Sequence, residues 1–382
     1  MFNENYIQNI VTAFQLSGKY TNGAPHGAGL INDTFAIEMV EGNQKVRYIL
    51  QRINSHIFKD PPALMANIEL ITTHIQTAME KGCEHNDRNR QLRIIRTSNN
   101  QPFYRDSQGA YWRMFSFIEN SLSFETMSNG HQVYTAAHKF GTFQKALVTL
   151  PAHYLTETIA GFHDMGKRFL RFEKTVTENS NGRAATCKKE IDFIVGFEPI
   201  FTKFSRLHHE SILPRRVVHN DTKISNVLFD QNGKEAVCVI DLDTAMGGIV
   251  ISDFGDLCRT SICTVDENEA DVSKIKIKIS WFESLAHGYL TATQSFLQPN
   301  EQAHLVFGFK AIVLEQAMRF LTDHLAGDIY YTITQPEQNL HRARNQIKLA
   351  QEVILNEDKM QYIIDDTFYK LQNDILPLKC TY

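Results

Sequence analysis

Between Arg216 and Asp243 the chain gathers the residue types that handle phosphate and metal. The run His219-Asn220-Asp221-Thr222-Lys223-Ile224-Ser225-Asn226 is a polar loop behind the apolar pair Val217-Val218. It leads into a short apolar strand, Val227 to Phe229, then an Asp230-Gln231-Asn232-Gly233 turn. A second apolar strand from Ala236 ends on Asp241-Leu242-Asp243. A hairpin over residues 217–243 folds its ends together, so Asp221, Asn226 and Asp241 can meet at one point. Two carboxylates and a carboxamide beside a lysine suit Mg²⁺ and a phosphate chain. Phosphoryl transfer from ATP needs neutralised phosphates, oxygen ligands for Mg²⁺, a base for the attacking hydroxyl and a dry site. Asp221 is the candidate base. Lys223, two residues on in an extended loop, faces the same side and reaches the transferring phosphate. Asn226, Asp241 and Asp243 are the candidate metal ligands. Each alone is more often a turn cap or a solvated strand end; together, in this order, they point to chemistry.

The elements that must position these groups divide into a β-rich first part and a helical second part. Helical spacing runs over Asn5 to Leu16. The small residues Pro25 to Gly29 precede an alternating strand, and Gly42-Asn43 turns it into a second strand, Val46 to Ile53. Backbone amides of a turn holding Gly27, Gly29 and Asn32 can approach phosphate closely. On the next strand Gln51 and Arg52 point to opposite faces, so one of the two faces a cleft, and an Arg there pairs with phosphate oxygens. Pro61-Pro62 opens a helix to about Glu80, whose Glu69 either bridges to Arg52 or faces water. Tyr111 to Ile118 reads as a strand, and Glu119-Asn120-Ser121 as a hinge. Beyond it, helical spacing covers Val133 to Leu147, Tyr154 to Phe172, Lys188 to Leu207, Ile275 to Phe296, Pro299 to Leu325 and Leu340 to Leu371. Ser252 or Asp253 caps a further helix. The fold class is therefore α+β, with a small β-rich lobe (1–119) and a larger, mainly helical lobe (120–382), a pattern that suits a nucleotide held between lobes.

The 382 residues, 43% of them hydrophobic, allow two or three domains or two lobes of one enzyme. A formal net charge of −4 and no long Lys/Arg run give no bulk attraction for nucleic acid or acidic lipid. The six cysteines form no CxxC pair and read as free thiols of a reducing compartment. No signal-peptide pattern or transmembrane-length apolar run occurs, so the expectation is a cytoplasmic protein without nucleic-acid or membrane partners.

The pattern His219-x-Asp221-x-Lys223-x-x-Asn226, a strand, a turn and a strand ending Ile240-Asp241 resembles the catalytic core of protein-kinase-like enzymes. Leu242-Asp243 stands where protein kinases have Phe-Gly, and no Ala-Pro-Glu motif follows. The chain is similar instead to the small-molecule branch, the aminoglycoside and choline phosphotransferase superfamily. Within it the likeness is greatest to N-acetylhexosamine 1-kinases. It rests on Gly29-Leu30-Ile31-Asn32-Asp33-Thr34-Phe35, Tyr48-Ile49-Leu50-Gln51-Arg52-Ile53-Asn54, Asp253-Phe254-Gly255-Asp256 and Arg319-Phe320-Leu321-Thr322-Asp323. The resemblance implies a protein-kinase-like two-lobed fold, with Asp221 as base and Mg²⁺ on Asn226 and Asp241. It puts Arg52 in the place of the third-strand lysine, a fork where the family has a point charge. It implies that the turn from Gly27 to Asn32 covers the phosphates and that backbone from Phe117 to Glu119 holds adenine. The acceptor it implies is the anomeric hydroxyl of GlcNAc or GalNAc, met by Arg319 and Asp323 with His163 and Asp164. Other readings kept open are the same fold acting on another sugar, choline, homoserine or an aminoglycoside, and an inactive nucleotide-binding scaffold.

Overall fold

A computed structural model of the protein describes residues 4–27, 31–81 and 90–373. The chain forms two compact units, one of residues 1–121, 153–160 and 240–246 and one of residues 122–152, 161–239 and 247–382. The boundary read near residue 119 thus missed two segments, 153–160 and 240–246, that return to the first unit.

The first unit is built on an antiparallel sheet. Its strands are β1 (Lys19–Pro25), β2 (Asp33–Glu41), β3 (Gln44–Ile53), β4 (Ile94–Ile95), β5 (Tyr104–Arg105) and β6 (Tyr111–Ser116). The order is β1-β2-β3-β6-β4, with β5 also on β6. Alternation along β2 sends Phe35, Ile37 and Met39 to one face, where Leu50, Trp112 and Met114 join them. Helix α1 (Glu4–Val11) covers that face with Ile7, Ile10 and Val11. Fully burying side chains of this size contributes about 1.5–3 kcal/mol each. The polar atom of Trp112 is satisfied: Nε1 donates to Asp106 Oδ2 at 2.8 Å. Helix α2 (Pro61–Lys81) starts where Asp60 Oδ1 accepts from Ala63 N at 3.0 Å. Its Glu69 pairs with Arg96. The expected bridge from Glu69 to Arg52 is not formed, because Arg52 lies beside Asp33, Nη1 to Oδ2 3.7 Å, and the Glu69 side chain stays part-exposed beside Arg96.

The chain passes out of this unit within β7 (Ser121–Leu122). The second unit carries α3 (Gly130–Ala146), α4 (Met165–Glu178), α5 (Lys188–Val195) and α6 (Glu198–His209), then β8 (Arg216–Val218) and the hairpin of β9 (Val227–Asp230) and β10 (Ala236–Val239). After β11 (Met246–Gly248) come α7 (Val250–Ser261), α8 (Ile279–Thr293), α9 (Pro299–Gln302), α10 (Leu305–Leu325) and α11 (Gln338–Gln372). Three expected helices differ. Residues 155–164 are not helical, because Gly161 takes a left-handed φ of 62° and Asp164 caps α4 instead. The expected helix over Lys188 to Leu207 breaks at Gly196-Phe197, with Pro199 opening α6. The helix from Pro299 stops after one turn and restarts at Leu305.

Glycine permits the closest helix contacts. A Cβ on Gly255 of α7 would lie 2.6 Å from the Gly308 carbonyl oxygen of α10, and one on Gly288 of α8 would lie 2.3 Å from the Tyr134 carbonyl oxygen of α3. Phe254 beside Gly255 sits edge-on to Tyr289, ring centroids 5.1 Å apart. The four described cysteines, Cys187, Cys238, Cys258 and Cys263, are free. Among the described residues no helix is long and apolar enough to cross a membrane.

Candidate functional site

The polar loop 219–226 is fixed by a residue far along the chain. Asp253 lies in the first turn of α7, whose N-cap is Ile249, so neither Ser252 nor Asp253 caps that helix. The Asp253 carboxylate instead accepts from the backbone N–H of His219 at 2.9 Å and of Asn220 at 2.7 Å. Gln144 Nε2 adds a third bond at 2.8 Å, and Thr222 Oγ1 donates to the Asp253 carbonyl at 2.6 Å. Asn220 holds a left-handed φ of 65°, and the His219 ring packs edge-on against Phe140 and Phe143.

On that fixed backbone Asp221 faces outward. Its side chain is 29% exposed and that of Lys223 41%, whereas Asp253 is 2% exposed, so of the two acids only Asp221 can meet a substrate. Asp221 Oδ2 is 3.2 Å from Lys223 Nζ and accepts from Asn226 Nδ2 at 3.0 Å. The same Nδ2 donates to the Asp221 carbonyl at 2.8 Å. Burial pushes the Asp221 carboxyl up, but the Lys223 ammonium and the Asn226 hydrogen bond outweigh it, so it titrates below its ordinary value. Asp221 is therefore an ionised acceptor at neutral pH. Asp221, Lys223 and Asn226 thus converge.

The first unit holds the acids that follow β10. Asp241 has a left-handed backbone, φ 62° and ψ 60°. Asp243 is 2% exposed and both its oxygens are engaged. The Arg113 guanidinium grips them bidentately, Nη2 to Oδ2 3.0 Å, and Asn32 Nδ2 donates to Oδ2 at 2.7 Å. Asp243 is thus a buried ion-pair partner rather than an open metal ligand. Asn32 is committed as well, since its Oδ1 accepts from Asn54 N at 3.0 Å.

Register decides between Gln51 and Arg52. Gln51 stands opposite Arg113 and Arg52 opposite Trp112, so Gln51 shares the Arg113–Asp243 face and Arg52 the face of the α1 core. Gln51 Oε1 accepts from Arg113 Nε at 2.9 Å. The expectation that Arg52 takes the third-strand lysine's place is corrected by this parity. Gly27 is an exposed left-handed turn residue, φ 76°; Gly29 lies outside the described residues. The Glu119 carboxylate is bound by Arg47, Nε to Oε1 3.1 Å, and the guanidinium sits 3.9 Å over the Phe117 ring. The Phe117 N–H donates to the Arg47 carbonyl at 3.3 Å.

The four expected acceptor residues separate into two kinds. Asp323 is spent on the chain itself: Oδ1 accepts from the N–H of Ile329 and Tyr330 at 3.0 and 2.8 Å, and Oδ2 from Tyr331 N–H and Asn339 Nδ2, both at 2.9 Å. Asp164 is the N-cap of α4, accepting from Lys167 N at 3.0 Å, and is also paired with Lys167 Nζ at 2.9 Å. These are corrections: both carboxylates anchor backbone. Arg319 and His163 instead gather at Glu315 of α10. His163 Nδ1 lies 2.7 Å from Glu315 Oε2 and Arg168 Nε 2.8 Å from Oε1. Burial pushes the Glu315 carboxyl up, but His163 and Arg168 hold it below the usual range. Arg319 donates to Gln316 Oε1 at 2.9 Å and lies 5.7 Å from the Phe162 ring and 5.5 Å from that of Tyr331. Sequence reasoning missed Asp253 as a clamp, Gln144, Arg113 and Glu315. The available signal was a charge inside an apolar run, Tyr111-Trp112-Arg113-Met114-Phe115 and Ile312-Val313-Leu314-Glu315, since an unpaired charge does not survive burial.

A model of the phosphotransferase enzyme family matches residues 93–299, more than half of the chain. Among solved structures, an aminoglycoside phosphotransferase from Alicyclobacillus acidocaldarius is similar with a TM-score of 0.55 at 13% identity over 96% of each chain. A spectinomycin phosphotransferase in complex with ADP and spectinomycin gives 0.55 at 11% identity, covering 92% of this chain and 99% of that one. A choline kinase from Cryptosporidium parvum Iowa II gives 0.50 at 13% identity, covering 91% and 93%. At such identities the likeness establishes the fold, an α+β kinase-like fold with a β-sheet N-terminal region and a helical C-terminal region.

Proposed function

We propose that this chain, which belongs to the phosphotransferase enzyme family, is a kinase that moves the γ-phosphate of ATP to a sugar hydroxyl, the anomeric hydroxyl of GlcNAc or GalNAc, giving the sugar 1-phosphate and ADP. Family membership makes it a small-molecule phosphotransferase; donor, acceptor and residue roles are the proposal. The observation that carries it is the 219–226 loop. Asp221 is ionised, solvent-reachable and held on a backbone that buried Asp253 fixes at two N–H groups. In this reading Asp221 accepts the proton of the attacking hydroxyl as its oxygen bonds to the γ-phosphorus. The Lys223 ammonium, 3.2 Å from that carboxylate, neutralises charge on the transferring phosphoryl group.

Asn226 and Asp241 would hold Mg²⁺, which when bound neutralises the β- and γ-phosphate oxygens. The donor set fits. Asn226 Nδ2 donates twice to Asp221, so Oδ1 is the atom left for a cation. Among the described residues no three His, Cys, Asp or Glu side chains cluster as a metal site, and Mg²⁺ on a nucleotide needs none, since it keeps waters and phosphate oxygens in its shell. The Gly27 turn would cover the phosphates, and the chain from Phe117 to Glu119 would border adenine. For the acceptor, Arg319 and His163 remain as hydrogen-bonding groups. The Phe162 and Tyr331 rings already lie near the Arg319 guanidinium, which favours a neutral sugar over a cation needing those faces.

A coupled ADP-release assay with GlcNAc, GalNAc, galactose, choline, homoserine and an aminoglycoside tests the reading. Turnover with a hexosamine supports it. Turnover with choline, homoserine or an aminoglycoside but no sugar overturns the acceptor and keeps the kinase. No turnover with any of them favours the inactive scaffold.

A further inference from the structure

Arg113 is 1% exposed in the middle of a sheet, where an unpaired guanidinium would cost several kcal/mol. Three strands hold it in one arrangement. Its fork meets both oxygens of Asp243, and its Nε reaches Gln51 Oε1 at 2.9 Å. The far end of Gln51 donates to Thr34 Oγ1 of β2 at 3.0 Å. Asn32 and Thr158 complete the grip on Asp243, Nδ2 to Oδ2 2.7 Å and Oγ1 to the carbonyl oxygen 2.7 Å. Two residues before this anchored carboxylate stands Asp241, a non-glycine residue in the left-handed region, a conformation that costs about 1–3 kcal/mol and persists only where its surroundings impose it. Leu242 between them is 3% exposed.

We propose that Arg113 is a positioning residue for the Asp241 carboxylate, acting through Asp243, with Gln51 aligning its fork. The cation of this sheet face thus comes from β6 rather than from Arg52 on β3. The proposal rests on the reading of Asp241 as a Mg²⁺ ligand. A purely stabilising role would not need this chemistry, because apolar residues of similar volume stabilise a buried site as well as an ion pair does. What the pair adds is direction: a planar fork with two parallel bonds fixes a carboxylate's orientation, which an ammonium does not.

The test measures thermal stabilisation by a non-hydrolysable ATP analogue as Mg²⁺ is titrated, so no acceptor is required. Arg113→Lys keeps the charge and loses the fork. It is expected to fold and to raise the Mg²⁺ midpoint about 10–100-fold, as loss of a residue supporting a metal ligand does. Arg113→Met/Asp243→Leu, which removes both charges, is expected to recover stability but not the wild-type midpoint. Where acceptor turnover is measurable, acceptor KM should stay constant while kcat falls. A wild-type midpoint in Arg113→Lys, or in the folded double variant, overturns the proposal alone. Wild-type protein whose nucleotide binding ignores Mg²⁺ overturns the metal reading of Asp241 and this inference with it.

Discussion

Asp253→Asn tests whether the 219–226 loop is held from α7. The side chain keeps its shape but loses its charge, and one oxygen becomes an NH₂. Wild-type Asp253 accepts three N–H bonds of 2.7–2.9 Å while 2% exposed. The amide oxygen can keep part of them. One charge-assisted bond is lost, about 1.5–3 kcal/mol, and one buried donor is left facing an NH₂, about 1–3 kcal/mol. The expected sum is about 2.5–6 kcal/mol, a large part of the roughly 5–15 kcal/mol that holds a typical domain together. In a chain of 382 residues it lowers the melting temperature by about 3–7 °C. Thermal unfolding by circular dichroism gives the stability, and ADP release gives activity on the folded fraction. Because His219 and Asn220 lead directly into Asp221, kcat should fall at least tenfold with ATP KM little changed. A melting temperature within about 2 °C of wild type, with kcat within threefold, would refute the clamp. A stability loss with unchanged kcat would make Asp253 structural and separate it from Asp221.

Asp221→Asn should abolish turnover while the ATP analogue still binds; wild-type turnover would remove Asp221 as base. Lys223→Met removes the first charge that lowers the Asp221 pKa, so the acid limb of the kcat/KM profile should move to higher pH. The same depression stabilises the fold above the ordinary carboxylate value of 3.8 and is lost as pH falls through the lower folded value, so the variant should lose less stability across that window. Gly255→Ala places a Cβ 2.6 Å from the Gly308 carbonyl oxygen, costing about 1–3 kcal/mol by overpacking in urea unfolding. Glu301→Ala strands Arg216, whose Nε lies 2.8 Å from a fully buried Oε1; the expected loss is about 3–5 kcal/mol, readable as a lower urea midpoint.

What could be read without coordinates was what the chain keeps local. Asp221, Lys223 and Asn226 lie within six residues, and their mutual bonds need no distant element. The hairpin carries its own instructions in the Asp230 to Gly233 turn. The α+β division followed from strand alternation giving way to helical spacing. Reading failed where a polar group is satisfied from far away. Asp253 resembles a helix cap because a cap and a loop clamp use the same side chain near the same helix end; only the fold supplies His219 as its partner. Gln51 and Arg52 differ by one position, and one step of parity exchanges the two faces of a strand. Asp323 and Asp164 have the chemistry to meet a sugar, yet their oxygens already accept backbone N–H groups. Residue type tells what a side chain can bind, and not whether that capacity is spent. The useful signal is the reverse one, a charge where periodicity demands an apolar residue. Arg113 in β6 and Glu315 in α10 both break their patterns, and burial obliges each to hold a partner. Of those partners, Asp243 stands two residues from the proposed metal ligand Asp241, and His163, which shares Glu315 with Arg168, is itself one of the residues proposed for the acceptor.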